Sequence, residues 1–479
     1  MTIADDIYLY NSLSRQKEKF VPLREGFVGI YVCGPTVYGH SHVGHAKSYV
    51  SFDVIVKWFR FVGYKVRYVQ NITDVGHLLG DDGEGEDRIL KTARLEQIEP
   101  MEVAQSYARS YYEDMDALGV DRPNIAPTAT GHIPEQIELI KALIAKGHAY
   151  EVNGSVYFDV SSFEGYGKLS GRRNVDEMEP GTRVQVRSEK RHPSDFALWK
   201  KADPNHLMRW NSPWGWGFPG WHIECSAMSM KYLGETFDIH GGGMDNQFPH
   251  HECEIAQSEA ATGKPFVRYW LHNNLVTVNG QKMSKSLGNF TTIKDLLKKY
   301  APTVLRFFIL QSHYRSTLDF SDGAIAAAKA GLEKLVETYR RLRESPVGTG
   351  AIDLDAYKAK FHAAMNDDFN APQAIALLFE LSRDINVAID KGGLREPEKS
   401  NALAFYDAYA KGVLGIIPKE SLQPSSNPLP KVMELVLDIR QEARARKDFA
   451  TSDRIRDRLK EAGIEVKDGK DGATWRIVG

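Results

Sequence analysis

Cysteine is scarce in this sequence: Cys33, Cys225 and Cys253 are the only three in 479 residues. Three thiols cannot close a disulfide framework in a chain of this size. They read as reduced thiols and raise metal binding or catalysis as the natural question. Apolar runs of membrane-spanning length are missing as well, and Val304-Leu305-Arg306-Phe307-Phe308-Ile309-Leu310 is broken by an arginine. The first residues carry Asp5 and Asp6 and no stretch resembling an export signal, so a cytoplasmic protein without a membrane partner is expected. An excess of one charge is lacking too. With 61 Lys+Arg against 63 Asp+Glu the net charge is −2, so any nucleic acid must be held by local basic patches. There is no internal repeat and no low-complexity tract. A His-Glu-x-x-His helix is also absent, which weighs against a zinc hydrolase. What remains is an ordinary globular composition, 42% hydrophobic and 26% charged, in a length that suits about three domains of roughly 150 residues.

Strand and helix patterns alternate at the start. Residues 27–33 form a short β-forming run stopped by Gly34-Pro35. Val43, Ala46, Val50, Val54 and Trp58 then recur at helical spacing as far as Gly63. A second run at 66–73 completes a βαβ unit and predicts a parallel sheet, in which ligands sit beyond the carboxyl ends of the strands. Cys33 and Thr73 fall on that edge. Residues 84–150 read as mostly helical. The stretch 151–220 has short strands and many basic residues, and five of the eight tryptophans fall between Trp199 and Trp221. The sheet pattern resumes at 235–240, before three glycines. Ile325, Leu332, Leu335, Val336, Tyr339 and Leu342 line one face of a helix over 322–344. Breaks at 345–350 and at Pro418, Pro424, Pro428 and Pro430 complete the expected division. It comprises an α/β catalytic domain at 1–320 with an insertion at about 130–220, a helical domain at 321–417, a linker at 418–430 and a small module at 431–479.

Three constellations carry chemistry. His42-Val43-Gly44-His45 opens the first helix, where unpaired N–H groups and the helix dipole favour anions, and Gly44 leaves room for a flat ring. Alone, it also describes a surface helix with two histidines. Lys282-Met283-Ser284-Lys285-Ser286 follows a strand-like run at 274–278. Two lysines three apart on a small-residue loop can neutralise a polyphosphate as its charge shifts, though a solvated basic loop has the same composition. Third, Cys33 and Cys225 accompany His250 and Glu254, which share a helix face at i and i+4. Two thiolates, an imidazole and a carboxylate suit Zn²⁺. By spacing alone they could equally be separate buried residues, and Cys253, one turn from His250, competes with Glu254 for the fourth position.

Taken together and in this order, the first two motifs resemble the paired signature of class I aminoacyl-tRNA synthetases. Residues 42–45 are similar to the HIGH motif with Val for Ile, and 282–286 match KMSKS. Within that class the chain resembles the cysteinyl-tRNA synthetase family over essentially its whole length. Val32-Cys33-Gly34-Pro35-Thr36-Val37-Tyr38, Asn71-Ile72-Thr73-Asp74-Val75, Asp195-Phe196-Ala197-Leu198-Trp199-Lys200, residues 220–228, Asp238-Ile239-His240-Gly241-Gly242-Gly243 and Met365-Asn366-Asp367-Asp368-Phe369-Asn370-Ala371-Pro372 carry the resemblance. It implies a Rossmann-type parallel-sheet catalytic domain with an inserted subdomain, then a helical bundle and a small C-terminal α/β anticodon-binding module.

The implied reaction joins L-cysteine to ATP, giving cysteinyl-adenylate and pyrophosphate, and then passes the acyl group to the 3′ end of tRNA(Cys). The resemblance assigns catalysis to His42, His45, Lys282 and Lys285. It assigns ATP contacts to these residues with Gly44, Gly241, Gly242, Gly243 and Ser284, and substrate contacts to Thr73 and Trp221; His240 and Asp245 are further substrate-binding candidates, Asp245 for the ammonium or a ribose. One zinc per chain would be held by Cys33, Cys225, His250 and Glu254, with Mg²⁺ accompanying ATP. Position 253, usually Asn in the family, is Cys here. The stretch 440–460 holds eight Lys/Arg against four Asp/Glu, and Trp475 beside Arg476 is a candidate for stacking on an unpaired base of the tRNA. A monomer is expected. Two relatives in design compete: a cysteine ligase of thiol-cofactor biosynthesis, which lacks a module like 430–479, and a non-catalytic RNA-binding paralogue, which would be expected to have lost the signature histidines and lysines.

Overall fold

The computed structural model describes residues 6–75, 88–171, 189–283, 290–418, 429–469 and 472–477. Strand β1 (Phe27–Val32), helix α1 (Val43–Phe61) and strand β2 (Lys65–Gln70) form the βαβ unit, with Ile30 paired in parallel to Tyr68. Val43, Ala46, Val50, Val54 and Trp58 are all buried, so the 3.6-residue period of α1 is the period of its packing. Gly63, just past its end, has φ +107°, where a side chain would be strained.

Helix α2 (Trp221–Leu233), strand β3 (Phe237–Gly243), helix α3 (His250–Thr262) and strand β4 (Val267–Asn273) complete this layer. The parallel sheet has the order β4–β3–β1–β2. The sequence pattern stops β3 at His240, but the strand runs on through all three glycines, and packing explains why. A Cβ on Gly241 would stand 2.3 Å from the Phe52 ring of α1, and one on Gly242 would stand 2.7 Å from the His251 ring of α3. Successive residues of a strand face opposite sides, so α1 and α3 press on β3 from its two faces. Strand β4, Val-Arg-Tyr-Trp-Leu-His-Asn, lies in a stretch where the pattern reading placed no strand. α2 and α3 pack side by side, with Gln257 Nε2 donating to the His222 carbonyl at 3.1 Å.

Beyond β4 a small sheet forms from β5 (Val276–Val278), β6 (Gln281–Lys282) and β7 (Leu318–Phe320), in the order β6–β5–β7. Asn279 and Gly280, both at positive φ, close the two-residue turn between β5 and β6 that such a dipeptide favours. The insertion is a five-stranded antiparallel sheet between Ala149 and Pro219, built over Phe158, Phe196, Leu198 and Trp199. Helix α4 (Asp322–Glu344) is capped by Ser321 and followed by helices Leu354–Asn366 and Ala371–Asp390.

Residues Met1–Pro418 cluster as one compact unit and Lys419–Gly479 as another. Around residue 320 the architecture changes without a break in packing. Trp58 Nε1 of α1 donates to Asn366 Oδ1 at 2.9 Å, and the buried Arg306 guanidinium joins Asp53 to the Leu414 carbonyl. The second unit holds helices α5 (Leu429–Ala445) and α6 (Phe449–Glu461) and an antiparallel pair, β8 (Ile464–Gly469) and β9 (Gly472–Ile477). Among the described residues no helix is long and apolar enough to cross a membrane.

The squeeze on β3 gives a direct test. Gly241→Ala is expected to lower stability by about 1–3 kcal/mol, the usual cost of overpacking. Adding Phe52→Leu, which shortens the opposing ring, should restore part of the loss in the thermal midpoint. An alanine variant as stable as the parent would show that α1 is not held against the strand.

A candidate active site at the carboxyl edge of the parallel sheet

His42 caps α1 with its own ring. Its Nδ1 accepts the Gly44 N–H at 3.1 Å, and His45 Nδ1 accepts the His42 N–H at 3.2 Å. The two rings stack with centroids 3.8 Å apart. A ring nitrogen that accepts carries no proton, so this pattern assigns both protons to Nε2, on the side of each ring away from the cap. A Cβ at position 44 would come within 2.9 Å of the His42 ring, so glycine is needed for this close approach.

In the second motif, Ser284, Lys285 and Ser286 lie outside the described residues, and of Lys282 only the backbone is described. The described flanks lie against the first motif. Lys282 pairs with Thr277 across the β5–β6 hairpin, and the Met283 methyl is 3.8 Å from where a Gly44 Cβ would stand. Downstream, Phe290 packs edge-on against His42 at 5.1 Å, and the Ile293 N–H donates to the Ser41 carbonyl at 2.8 Å.

The third constellation converges fully. Cys33 leaves β1, Cys225 lies on α2, and α3 presents His250 and Glu254 from one face. All four are buried, with donor atoms within 4.8 Å of one another. His250 Nε2 is 3.1 Å from Glu254 Oε1, and Cys33 Sγ is 3.8 Å from the same oxygen. Around them stand three further histidines, of which the sequence reading gave a role to His240 alone, as a substrate contact. His240 Nε2 lies 2.9 Å from the other Glu254 oxygen, His222 Nδ1 lies 2.9 Å from His250 Nδ1, and His251 Nε2 lies 3.3 Å from Cys33 Sγ. His251 in turn meets His272 at 2.8 Å, and His272 meets Ser12 at 2.8 Å.

A second donor set, Cys33, His240, His251 and Glu254, satisfies the same distance. Hydrogen bonding favours the first. A histidine that binds metal through one nitrogen needs a partner for the other. His250 has one in His222, whereas His240 Nδ1 is buried with no partner among the described residues. The electrostatics agree. Burial works against charge on Glu254 and His250, yet His240 and His250 hold the carboxylate down at about 2, and Glu254 lifts the imidazole to about 10. Burial also opposes the Cys225 thiolate, but Cys33 and His250 bring it down to about 6. A carboxylate and a readily formed thiolate in a closed site are what a divalent cation needs.

Cys253 does not compete for this position. It belongs to neither donor set among the described residues, packs with Phe196, Leu198 and Ala256, and has its Sγ 3.6 Å from Tyr166 Oη, while burial pushes its thiol well up. Trp221, at the start of α2, stacks on the His250 ring at 4.2 Å. The Thr73 hydroxyl donates to Glu224 at 3.0 Å and accepts from Asn71 Nδ2 at 3.1 Å. Glu224 is a residue the sequence reading passed over, and its signal was an acid between Ile223 and Cys225 in a run that is otherwise buried. His240, expected to touch substrate, is fully buried with its ring stacked on Trp270 at 4.5 Å. Asp245 is exposed, with its carboxylate folded back toward Gly243. In the second unit Trp475 sits half-buried on β9 opposite Val466, and only the backbone of Arg476 is described.

Comparison with known proteins agrees with this geometry. The family of tRNA synthetases class I (C) catalytic domains matches residues 19–330, the DALR domain matches 360–418, and the cysteinyl-tRNA ligase anticodon binding domain matches 426–476. A Chlorobaculum tepidum protein named Cysteine--tRNA ligase is 64% identical, with 98% of each chain covered. The chain belongs to the cysteinyl-tRNA ligase family. A Deinococcus radiodurans member is 55% identical over 98% of this chain and 97% of its own. Among solved structures, Mycobacterium tuberculosis methionyl-tRNA synthetase in complex with methionyl-adenylate superposes with a TM-score of 0.58. It shares 15% identity over 86% of this chain and 94% of its own, a likeness of fold.

The choice between the two donor sets can be tested by metal content. Cys225→Ser and His250→Ala are expected to abolish stoichiometric metal, read by atomic absorption. Cys253→Ser and His251→Gln should retain it. Retention of metal in the Cys225 or His250 variant would exclude the first set, and loss of metal in the Cys253 variant would bring that thiol into the site.

Proposed function

We propose that the chain activates L-cysteine with ATP and transfers it to tRNA(Cys), with a zinc ion at Cys33, Cys225, His250 and Glu254 selecting the substrate. The observation that carries this reading is a buried set of two sulfurs, one imidazole and one carboxylate at the sheet edge, in a chain of this family. When bound, zinc supplies a site that takes a thiolate readily and a serine hydroxyl poorly. Shape alone separates substrates differing this little by only about 10–200-fold.

The protein's own groups position and stabilise. Trp221, stacked on His250, forms a wall for the cysteine side chain. Thr73, held by Glu224 and Asn71, and Asp245 at the mouth receive its ammonium. The cysteine carboxylate attacks the α-phosphate of ATP, and pyrophosphate leaves. His42 and His45 donate from Nε2 to phosphate oxygens, and Lys282 and Lys285 neutralise charge that grows on the leaving group. Gly44 lets the nucleotide approach the helix end, Gly241, Gly242 and Gly243 line the strand edge near it, and Ser284 contacts the phosphates. Mg²⁺ accompanies ATP. In the second step the terminal ribose hydroxyl of the tRNA takes the acyl group and AMP leaves.

We assign catalysis to residues 1–320, with 130–220 inserted, a supporting role to the helices of 321–417, and anticodon recognition to 431–479 beyond the linker at 418–430. Exposed Arg444, Arg446, Lys447, Arg454 and Arg458 on α5, α6 and the turn between them support a phosphate-binding surface. Trp475 and Arg476 contribute base and backbone contacts. The enzyme works as a cytoplasmic monomer.

ATP–pyrophosphate exchange across the twenty amino acids should respond to cysteine alone. Lys285→Ala should lower kcat by roughly 10²–10³-fold, the effect of removing one transition-state donor, with the cysteine KM little changed. A raised KM at unchanged kcat would place the lysine in ground-state binding. A chain ending at Pro418 should still exchange pyrophosphate but charge tRNA poorly. Efficient charging by that shortened chain would remove the second unit from recognition.

A further inference from the structure

We propose that Lys47 is a positioning residue for adenylate formation, fixing the helix that presents His42 and His45 against the strands that lead to Lys282. The inference rests on the phosphate-binding roles just assigned to those residues.

Lys47 lies on α1 two residues past His45 and is only 1% exposed. Among the described residues no carboxylate pairs with it. Its ammonium donates to two main-chain carbonyls, those of Leu275, at 3.1 Å, and Ser316. Burial without a counter-charge is unfavourable and draws the group down to about 8. Anchoring an ordinary core helix needs no such cation, since an apolar side chain would fill the space at lower cost.

The two carbonyls mark the places where β5 and β7 begin. Leu275 immediately precedes β5, and its oxygen also accepts the Leu318 N–H of β7 at 3.1 Å. β5 pairs with β6, where Lys282 stands opposite Thr277. One side chain of the first motif's helix therefore holds the root of the hairpin on which the second motif begins, at Lys282.

The same segment is gripped from its other side. Asp368, also 1% exposed, accepts from Tyr314 Oη at 2.7 Å, Arg315 Nε at 2.6 Å and the Tyr10 N–H at 2.9 Å. Asn274 ties that segment back to β5, donating from its backbone to the Tyr314 carbonyl at 2.9 Å and from Nδ2 to the Arg315 carbonyl at 3.0 Å. Asp368 and Phe369 hold φ of +60° and +54°, a left-handed pair without glycine that this network maintains. Residues 314–316 are thus clamped between the ammonium of Lys47 and the carboxylate of Asp368. The donor set at Cys33 stands on β1, α2 and α3 and takes no part in the clamp.

The test uses the full-length, zinc-loaded protein with Lys47→Met, Lys47→Arg and Asp368→Asn. Read-outs are pyrophosphate-exchange kcat, cysteine KM and zinc per chain. A misplacement of about 1 Å can cost on the order of 10²-fold in rate. Lys47→Met is therefore expected to lower kcat at least tenfold, with zinc and cysteine KM unchanged. Lys47→Arg, which still donates to both carbonyls, should recover most of the rate, and Asp368→Asn should lower kcat alone. In a Lys282→Ala background, Lys47→Met should cost less than it does in the otherwise unchanged protein, because part of its effect passes through Lys282. If the Met variant does not fold, Arg rescue is replaced by the same comparison between Asp368→Asn and its double variant with Lys282→Ala. Effects that multiply in the double variant, or a loss of zinc and cysteine binding along with kcat, would overturn the proposal. A wild-type protein that exchanges with cysteine while Lys47→Met is unimpaired refutes this inference alone. No exchange in the wild type would instead refute the functional reading beneath it.

Discussion

The carboxylate of Glu254 is the group around which the site is built. It is fully buried, and one oxygen faces His250 while the other faces His240. An isolated carboxylate at this depth would be costly enough to take up a proton. It stays ionised because α3 sets His250 one turn away and β3 delivers His240 from below. Each requirement reaches further into the fold. β3 can lie close enough to α3 only because position 242 has no side chain, and close enough to α1 only because position 241 has none. The Cys33 N–H, in turn, is held by the Gly241 carbonyl at 3.0 Å.

Second-layer contacts give this centre its rigidity. His222, His240 and His251 each touch a different member of the donor set, and a chain of hydrogen bonds runs on through His272 to Ser12. Outer partners of this kind fix ring orientation and tautomer, and they commonly contribute 10–100-fold to metal affinity. Trp270 and Trp221 close the cluster from two sides by stacking on His240 and His250. Charge deep in a protein is stable only when every partner is supplied, which is why so many elements converge here.

The parts that local periodicity or chain order determines were legible in the sequence. The apolar spacing of α1 and α4, the stop at Gly63 and the pairing of His250 with Glu254 on one helix face are consequences of helix geometry. Cys33 and Thr73 could be placed at the sheet edge because a βαβ unit has only one ligand-binding end. Contacts set by tertiary packing were not legible. His222, His251 and His272 look like ordinary polar residues until α2, α3 and β4 are laid together. β3 seemed to end at its glycines because glycine in isolation reads as a breaker, whereas here two helices exclude any larger residue. Arg306, which in the sequence merely interrupts an apolar run, is a buried tie between α1 and the far end of the helical region. Lys47, for which the sequence offered no signal, is buried.

The donor set and the two signature motifs stand on different elements. The sulfur and imidazole donors lie at the end of β1 and on α2 and α3, while the first motif opens α1 and the second begins on β6 of the small sheet. α1 meets the donor side at Phe52, which lies against Gly241, and at Tyr49, whose hydroxyl donates to the Cys33 carbonyl at 3.3 Å. That arrangement answers a chemical requirement. Selecting a thiol calls for a closed, densely hydrogen-bonded centre that does not rearrange, because any slack would admit the hydroxyl analogue. Moving charge from the α-phosphate to a departing pyrophosphate calls for donors aligned with positions that exist only during the reaction. On the proposed assignment, placing the two tasks on different elements lets the first be packed as core and leaves the second at the strand ends, held in register by polar ties such as those of Lys47.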